Sequence, residues 1–448
     1  MMNVKVHSRC KPFLHFTFII LHFTFIISSC SVSKHISKQA NTILLEDTAI
    51  SKGHIGISIY EPATGKYWYN YNADKYFVPC SNTKLFTLYA GMKYLGDSLL
   101  GMRYYQSTDT VYVLPTGDPT FMHPDFTNQP VAVFFKEVHS PTIFSNENWK
   151  AEKYGKGWAW DDYNDDYMAE RNAFPVYGNV FKTEFNKHKL EILQPQLLTV
   201  SVVNKVDNSL ERVIIKRKQS ENGFEVSFPD KDFSFQKDIP FVTNGITTTL
   251  EILHSTFPFI QPQATAFKIQ NSSFKIIKTQ PTDSLFKPMM HNSDNFFAEQ
   301  TLLMVSNERL GYMSDEDMID TLLKTDLKDV PQKPKWVDGS GLSRYNLFTP
   351  KSFIYILEKM KNEFGLERLK NILPTGAEGT LKNYFKNDAG YIFAKTGSLS
   401  NNCALSGFLI TKNGNLLVFS VLVNNYQTGA APVRSAVEHF LLEIRKKY

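Results

Sequence analysis

Cysteine is scarce in this chain: four among 448 residues, at positions 10, 30, 80 and 403. No two are spaced Cys-x-x-Cys, and the eleven histidines contain no His-Glu-x-x-His, so a zinc hydrolase finds no support and no metal is expected. Gly65-Lys66 lacks the glycine spacing of a phosphate loop. Charge of one sign is also lacking. The formal excess is +5, and Lys5, Arg9 and Lys11 supply three of those charges in a leader without acidic residues, which leaves +2 for the remainder. A balance so near zero gives no electrostatic case for nucleic acid. Asp161-Asp162 and Asp165-Asp166 are too few for a calcium loop and read as an acidic aromatic loop. The apolar run Phe13–Ile27 falls short of the roughly 20 residues that a membrane-spanning helix needs.

That run does fit an export signal. Basic residues precede it, the small residues Ser28 and Ser29 follow, and then comes Cys30. It contains a direct repeat, Leu14–Ile20 recurring as Leu21–Ile27. Residues 1–29 are expected to be a signal peptide. Ile27-Ser28-Ser29-Cys30 resembles a bacterial lipoprotein box, in which the cysteine is acylated, and ordinary cleavage near Ser29 is the alternative. Cys30 would then carry the lipid, residues 30–45 would be a polar tether, and the protein would be exported, periplasmic and membrane-anchored. Cys80 and Cys403 are expected to be free, buried thiols.

Past the leader, residues 54–60 alternate as a strand, Pro62–Gly65 turn, and Tyr67–Tyr69 return. Leu85, Leu88, Tyr89, Met92 and Leu95 follow the spacing of a buried helix face, with Gly96 as its C-cap. Residues 106–285 change texture: short Phe-, Tyr-, Val- and Ile-rich runs such as 198–203, 211–217 and 223–228 are broken by Gly, Pro, Asn and Asp. Helical periodicity returns over 295–310. Strands are expected over 392–397, 404–411 and 415–424, the last two joined by Asn413-Gly414, and a helix over 433–446. The expected class is α+β. A catalytic domain split into 46–105 and 286–448 (antiparallel sheet with helices) carries a mostly β insertion, 106–285, of one or two small lobes.

Three short strings carry the chemistry, in this order: Ser81-Asn82-Thr83-Lys84, Ser293-Asp294-Asn295 and Lys395-Thr396-Gly397. This is the set that acyl-transfer enzymes use when a serine works without histidine. Each string alone is weak. Ser-x-x-Lys recurs at Ser31, Ser234, Ser272 and Ser284, and Ser-x-Asn at Ser220 and Ser400. Context singles out Ser81, which follows Pro79 at the start of an apolar helix, whereas Lys-Thr-Gly occurs once and ends a strand.

The residue types suggest roles. A serine hydroxyl needs a base. Lys84, three residues on, shares a helix face with Ser81 and can serve if burial beside a second cation, Lys395, lowers its pKa. Ser293 could relay a proton to the leaving amine. Asn295 could bond Lys84 and the substrate amide. Backbone N–H groups of Ser81 and Ser398 would form an oxyanion hole. Lys395, Thr396, Gly397 and Ser398 would bind substrate, with a terminal carboxylate held by Lys395, Thr396 and Ser398.

Residues 79–96 resemble the active-site helix of the class-C low-molecular-mass penicillin-binding proteins, the D-alanyl-D-alanine carboxypeptidases/endopeptidases with a large insertion after that helix. Thr116–Thr120, Ser293–Glu299, Asp338–Asn346, Gly379–Leu381 and Lys395–Ser398 match as well. Cys80 departs from the usual alanine, and Thr116 from a frequent glycine. The resemblance implies a penicillin-binding/β-lactamase-like catalytic domain and a serine D,D-peptidase. Its partners would be peptidoglycan stem peptides and, as inhibitors, β-lactams, with no cofactor. Two other readings are a β-lactamase and a catalytically inactive peptidoglycan-binding lipoprotein. The intact strings argue against the second, and the long insertion with Asp338–Ser343 argues against the first.

Overall fold

The computed structural model describes residues 32–194, 200–267, 269 and 273–448. The leader and Cys30 lie outside the described residues. One five-stranded antiparallel sheet draws on both ends of the chain. Its strands are β1 (His54–Glu61), β2 (Lys66–Tyr71), β3 (Ile392–Leu399), β4 (Asn402–Ile410) and β5 (Leu416–Asn424), in the order β3-β4-β5-β1-β2. β4 and β5 are central and almost wholly buried. Period-2 alternation splits their side chains between two cores. Leu405, Leu409, Phe419, Val421 and Val423 meet Val433, Val437, Phe440 and Ile444 on one face. Ala404, Phe408, Val418 and Leu422 meet Phe86, Phe353 and Leu357 on the other.

Four helices matter here: α1 (Lys84–Tyr94), α2 (Asn295–Leu310), α3 (Pro350–Phe364) and α4 (Ala430–Lys447). The ends of α2 follow from its sequence. Asp294 caps the N-terminus by accepting from the Phe297 N–H at 2.8 Å, and Gly311 closes the other end at φ 84°. Gly96, just past α1, likewise has φ 66°.

Residues between the sheet's two halves build a separate aromatic core around Phe135, Phe144, Phe174 and Phe181. Strand Ser98–Gln106 pairs with Lys275–Pro281 at its root, within a mixed five-stranded sheet, and two three-stranded sheets follow. The fold is α+β, antiparallel sheets with helices, plus these extra β lobes.

Residues 32–45 differ from expectation. Instead of a polar tether they are helical, with Ile36, Ala40 and Leu44 fully buried in the core under α4. Apolar residues at every fourth position make one buried stripe, which the surrounding Ser, Lys, His and Gln disguise.

Candidate active site

The chain leaves β2 and turns through Pro79 into a short 3-10 turn, Cys80–Thr83, before α1 begins at Lys84. The nucleophile candidate Ser81 thus sits in a turn leading into the helix rather than in its first α-turn. Its N–H has no helical partner to find there, as at any helix start. Cys80 takes φ 50°, a left-handed conformation that costs a non-glycine residue about 1–3 kcal/mol and is held by its surroundings.

Lys84 is fully buried, and its Nζ has three neighbours: Ser81 Oγ at 3.1 Å, Asn295 Oδ1 at 2.7 Å and the Ser340 carbonyl at 2.8 Å. The last two can only accept. A neutral amine spends its two N–H groups on them, and its lone pair then faces the Ser81 hydroxyl. Burial pulls the Lys84 pKa down to about 8, against the upward pull of the Asp294, Asp338 and Glu299 carboxylates. Lys395 is itself held well below its ordinary value by burial and then by the charge of Lys84, a repulsion that the two groups share.

Lys395 Nζ donates to Ser293 Oγ at 2.9 Å and to the Thr396 carbonyl at 2.7 Å. Ser293 has φ 60°, which turns its hydroxyl toward Lys395 just before α2 begins. Asn82 ties the turn to the sheet, its side chain spanning the Lys395 carbonyl at 2.8 Å and Ser406 Oγ at 2.7 Å. The three strings therefore converge on one crevice. Asn295 bonds Lys84 as expected, and one of its two Nδ2–H groups donates to the Tyr167 carbonyl at 3.1 Å, which leaves the other for a substrate amide. Lys395 is fully buried and turned inward, while Thr396 is half-buried and Ser398 exposed.

β3 is an edge strand. Across its open side the Ala394 N–H donates to the Pro374 carbonyl at 3.0 Å. Two-residue alternation places the Thr396 and Ser398 N–H groups on that same open edge. Ser398 pairs with Cys403, and Gly397 with Ala404. A Cβ on Gly397 would lie 3.0 Å from the Cys80 Cβ. Cys80 therefore lies on the Gly397 face and Cys403 on the opposite one, and both are buried free thiols.

Residues 338–346 form the back wall. Asp338 accepts from the N–H groups of Gly341 and Ser343 at 2.8 and 2.6 Å, from Asn346 Nδ2 at 2.7 Å and from Trp158 Nε1 at 2.9 Å. Ser340 is held from the other side, its N–H donating to Glu299 Oε1 at 2.7 Å. Glu299 is paired with buried Arg171 at 2.9 Å. Burial, then the Asp338 carboxylate, pushes the Glu299 carboxyl up to about 7 against the pull of Arg171. Glu299, Arg171 and Trp158 were not among the residues expected from sequence. Glu299 alone left a signal, four residues after Asn295 and so on the same helix face. Gly341 has φ 82°, and a Cβ there would lie 1.9 Å from the Cys80 carbonyl oxygen. Gly341→Ala must therefore push the wall off the nucleophile turn. Its thermal midpoint is expected to fall by several degrees, with slowed acylation by penicillin, and an unchanged midpoint would mean that the loop relaxes freely.

The chain is similar to known proteins along most of its length. A model of the D-Ala-D-Ala carboxypeptidase 3 (S13) family matches residues 37–227 and 218–443. The chain is 24% identical over 409 residues to the D-alanyl-D-alanine carboxypeptidase DacB of Haemophilus influenzae, covering 80% of this chain and 83% of that one. It is also 24% identical over 451 residues to a D-alanyl-D-alanine carboxypeptidase of Actinomadura sp., covering 87% and 81%. The crystal structure of penicillin binding protein 4 (dacB) from H. influenzae superposes with a TM-score of 0.76 at 21% identity, over 92% of this chain and 99% of that one. A crevice joining these three strings, on a chain matched along most of its length, belongs to the D-Ala-D-Ala carboxypeptidase 3 (S13) family of serine peptidases.

Proposed function

We propose that the protein is an exported serine D,D-peptidase that hydrolyses D-Ala-D-Ala termini or D,D-cross-links of peptidoglycan through an acyl-enzyme, and that β-lactams acylate the same serine. The observation that carries this is the Lys84 amine, whose two carbonyl acceptors leave its lone pair to Ser81.

Lys84 takes the Ser81 proton as Oγ bonds to the penultimate D-Ala carbonyl carbon. The negative charge that forms on the carbonyl oxygen falls between the N–H groups of Ser81 and Ser398. Losing one such donor typically costs about 2.7–4 kcal/mol of transition-state stabilisation. As the C–N bond breaks, the proton that Lys84 took from Ser81 passes to the leaving amine by way of the Ser293 hydroxyl, which Lys395 holds in place by donating to it, and Lys84 is neutral again. Water, deprotonated by Lys84, then attacks the ester and frees Ser81. No step calls on a cofactor.

The test is release of D-Ala from an acyl-D-Ala-D-Ala peptide, lost in the Ser81→Ala variant. Absence of Ser81-dependent release would refute the reading. A penicillin adduct that persists for many turnovers of peptide separates this enzyme from a β-lactamase, whose adduct is fleeting.

We also propose export with acylation at Cys30. The helix at 32–45 packs against the sheet, so a lipid there would hold the catalytic domain close to the membrane rather than at the end of a loose arm. No helix among the described residues is long and apolar enough to cross a membrane. The mature chain, produced in bacteria, is expected to begin at Cys30 with a mass raised by acyl chains. An unmodified N-terminus near Ser29 would contradict this.

A further inference from the structure

We propose that Arg434 supplies the positive charge that recognises the free α-carboxylate beside the scissile bond, acting with the Ser398 hydroxyl. This rests on the D,D-peptidase reading above. Such a substrate carries a full negative charge one residue past the bond that breaks, and a full positive charge is the partner that distinguishes it from a neutral end.

Lys395 is the cation nearest in sequence, but it is committed elsewhere. It is fully buried, and its ammonium points inward to Ser293 and the Thr396 carbonyl. The Ser398 side chain, on the face of β3 that it shares with Cys403, is exposed instead. Its Oγ accepts a hydrogen bond from Arg434 Nη2. Arg434 lies in the first turn and a half of α4, behind the strand, and shares a small cavity with Tyr384, Thr396 and Cys403.

Among the described residues no carboxylate pairs with this guanidinium. Its neighbours are the Ser398 hydroxyl, the Tyr384 phenol and the Cys403 thiol. Glu438, one turn further along α4, would be the natural partner at i,i+4. It accepts from the Phe385 N–H instead. A half-buried guanidinium without an anion, bonded to an exposed hydroxyl on the strand that carries Lys395, is a carboxylate receptor waiting for its ligand. Arg344 is the competing candidate: its Nη1 donates to the Ser400 carbonyl at 3.3 Å, at the far end of β3.

The test compares two thioesters of N-acetyl-D-alanine on the whole protein. One has thioglycolate as its leaving group and so carries a carboxylate. The other has mercaptoacetamide, of the same shape but neutral. The wild type is expected to prefer the carboxylate in kcat/KM. Arg434→Gln should reduce that preference by about 10- to 100-fold, the span of one charge-assisted hydrogen bond. Arg434→Lys should restore part of it, whereas Arg344→Gln should keep it. An equal fall on both substrates would assign Arg434 a structural role and overturn the proposal, as would a preference lost in Arg344→Gln alone. Ser81-dependent turnover without any carboxylate preference would refute this inference and leave the peptidase reading standing. No Ser81-dependent turnover of either thioester would sink both.

Discussion

The Ser81→Ala variant is expected to lose peptide hydrolysis and penicillin labelling together, by a factor of at least about a thousand. The reason is geometric. Lys84 Nζ approaches one hydroxyl, at 3.1 Å, and its other two neighbours are carbonyl oxygens that cannot be acylated. Ser293 is the hydroxyl nearest the second lysine, but it is bonded to Lys395, whose remaining contact is the Thr396 carbonyl. Removing Oγ from residue 81 therefore leaves no activated nucleophile, while Asn82, Thr83 and the wall at 338–346 keep their own bonds. Circular dichroism and the thermal midpoint should stay close to wild type. Fluorescent penicillin bound covalently to the variant would show that another group is acylated.

Lys84→Arg should be nearly as damaging, and its pH profile identifies why. In the wild type the base is the neutral amine, and burial brings the Lys84 pKa down to about 8. Below that value the neutral fraction falls about tenfold per pH unit, so acylation should rise steeply from pH 6 and level off above about pH 8. A guanidinium stays protonated throughout this range. The arginine variant should therefore acylate slowly at every pH, and the rising limb near pH 8 should vanish from its profile. Stopped-flow acylation by a chromogenic β-lactam between pH 6 and pH 9 measures both. A wild-type rate independent of pH across that window would remove Lys84 from the role of base.

Some of this was legible before any coordinates. Helix α2 begins and ends where its cap residues Asp294 and Gly311 place it, and strand Gly223–Phe228 matches its turn-bounded apolar run. The three strings announced themselves because acyl transfer needs those groups and few others. What stayed hidden depends on contacts between distant parts of the chain. Nothing local marks Trp158 as a partner of Asp338, 180 positions away, or Arg171 as the counter-ion of Glu299, 128 away. Arg434 reads as one more basic residue on an amphipathic helix until α4 is laid behind β3. The lysines show the same limit. Sequence places two cations together, but only the packed structure shows that burial is the first cause that lowers each of them. The helix at 32–45 was missed for the opposite reason, since its polar composition outweighed three apolar residues at regular spacing.

The central claim is that the hydroxyl at position 81 is the atom acylated. Peptide mapping of the protein after brief exposure to penicillin G tests it directly. Ring opening adds one whole antibiotic molecule, and that mass is expected on the tryptic peptide spanning Tyr76–Lys84, at Ser81, with every other peptide unmodified. An adduct on the peptide containing Ser293, or at the Cys80 thiol, would contradict it.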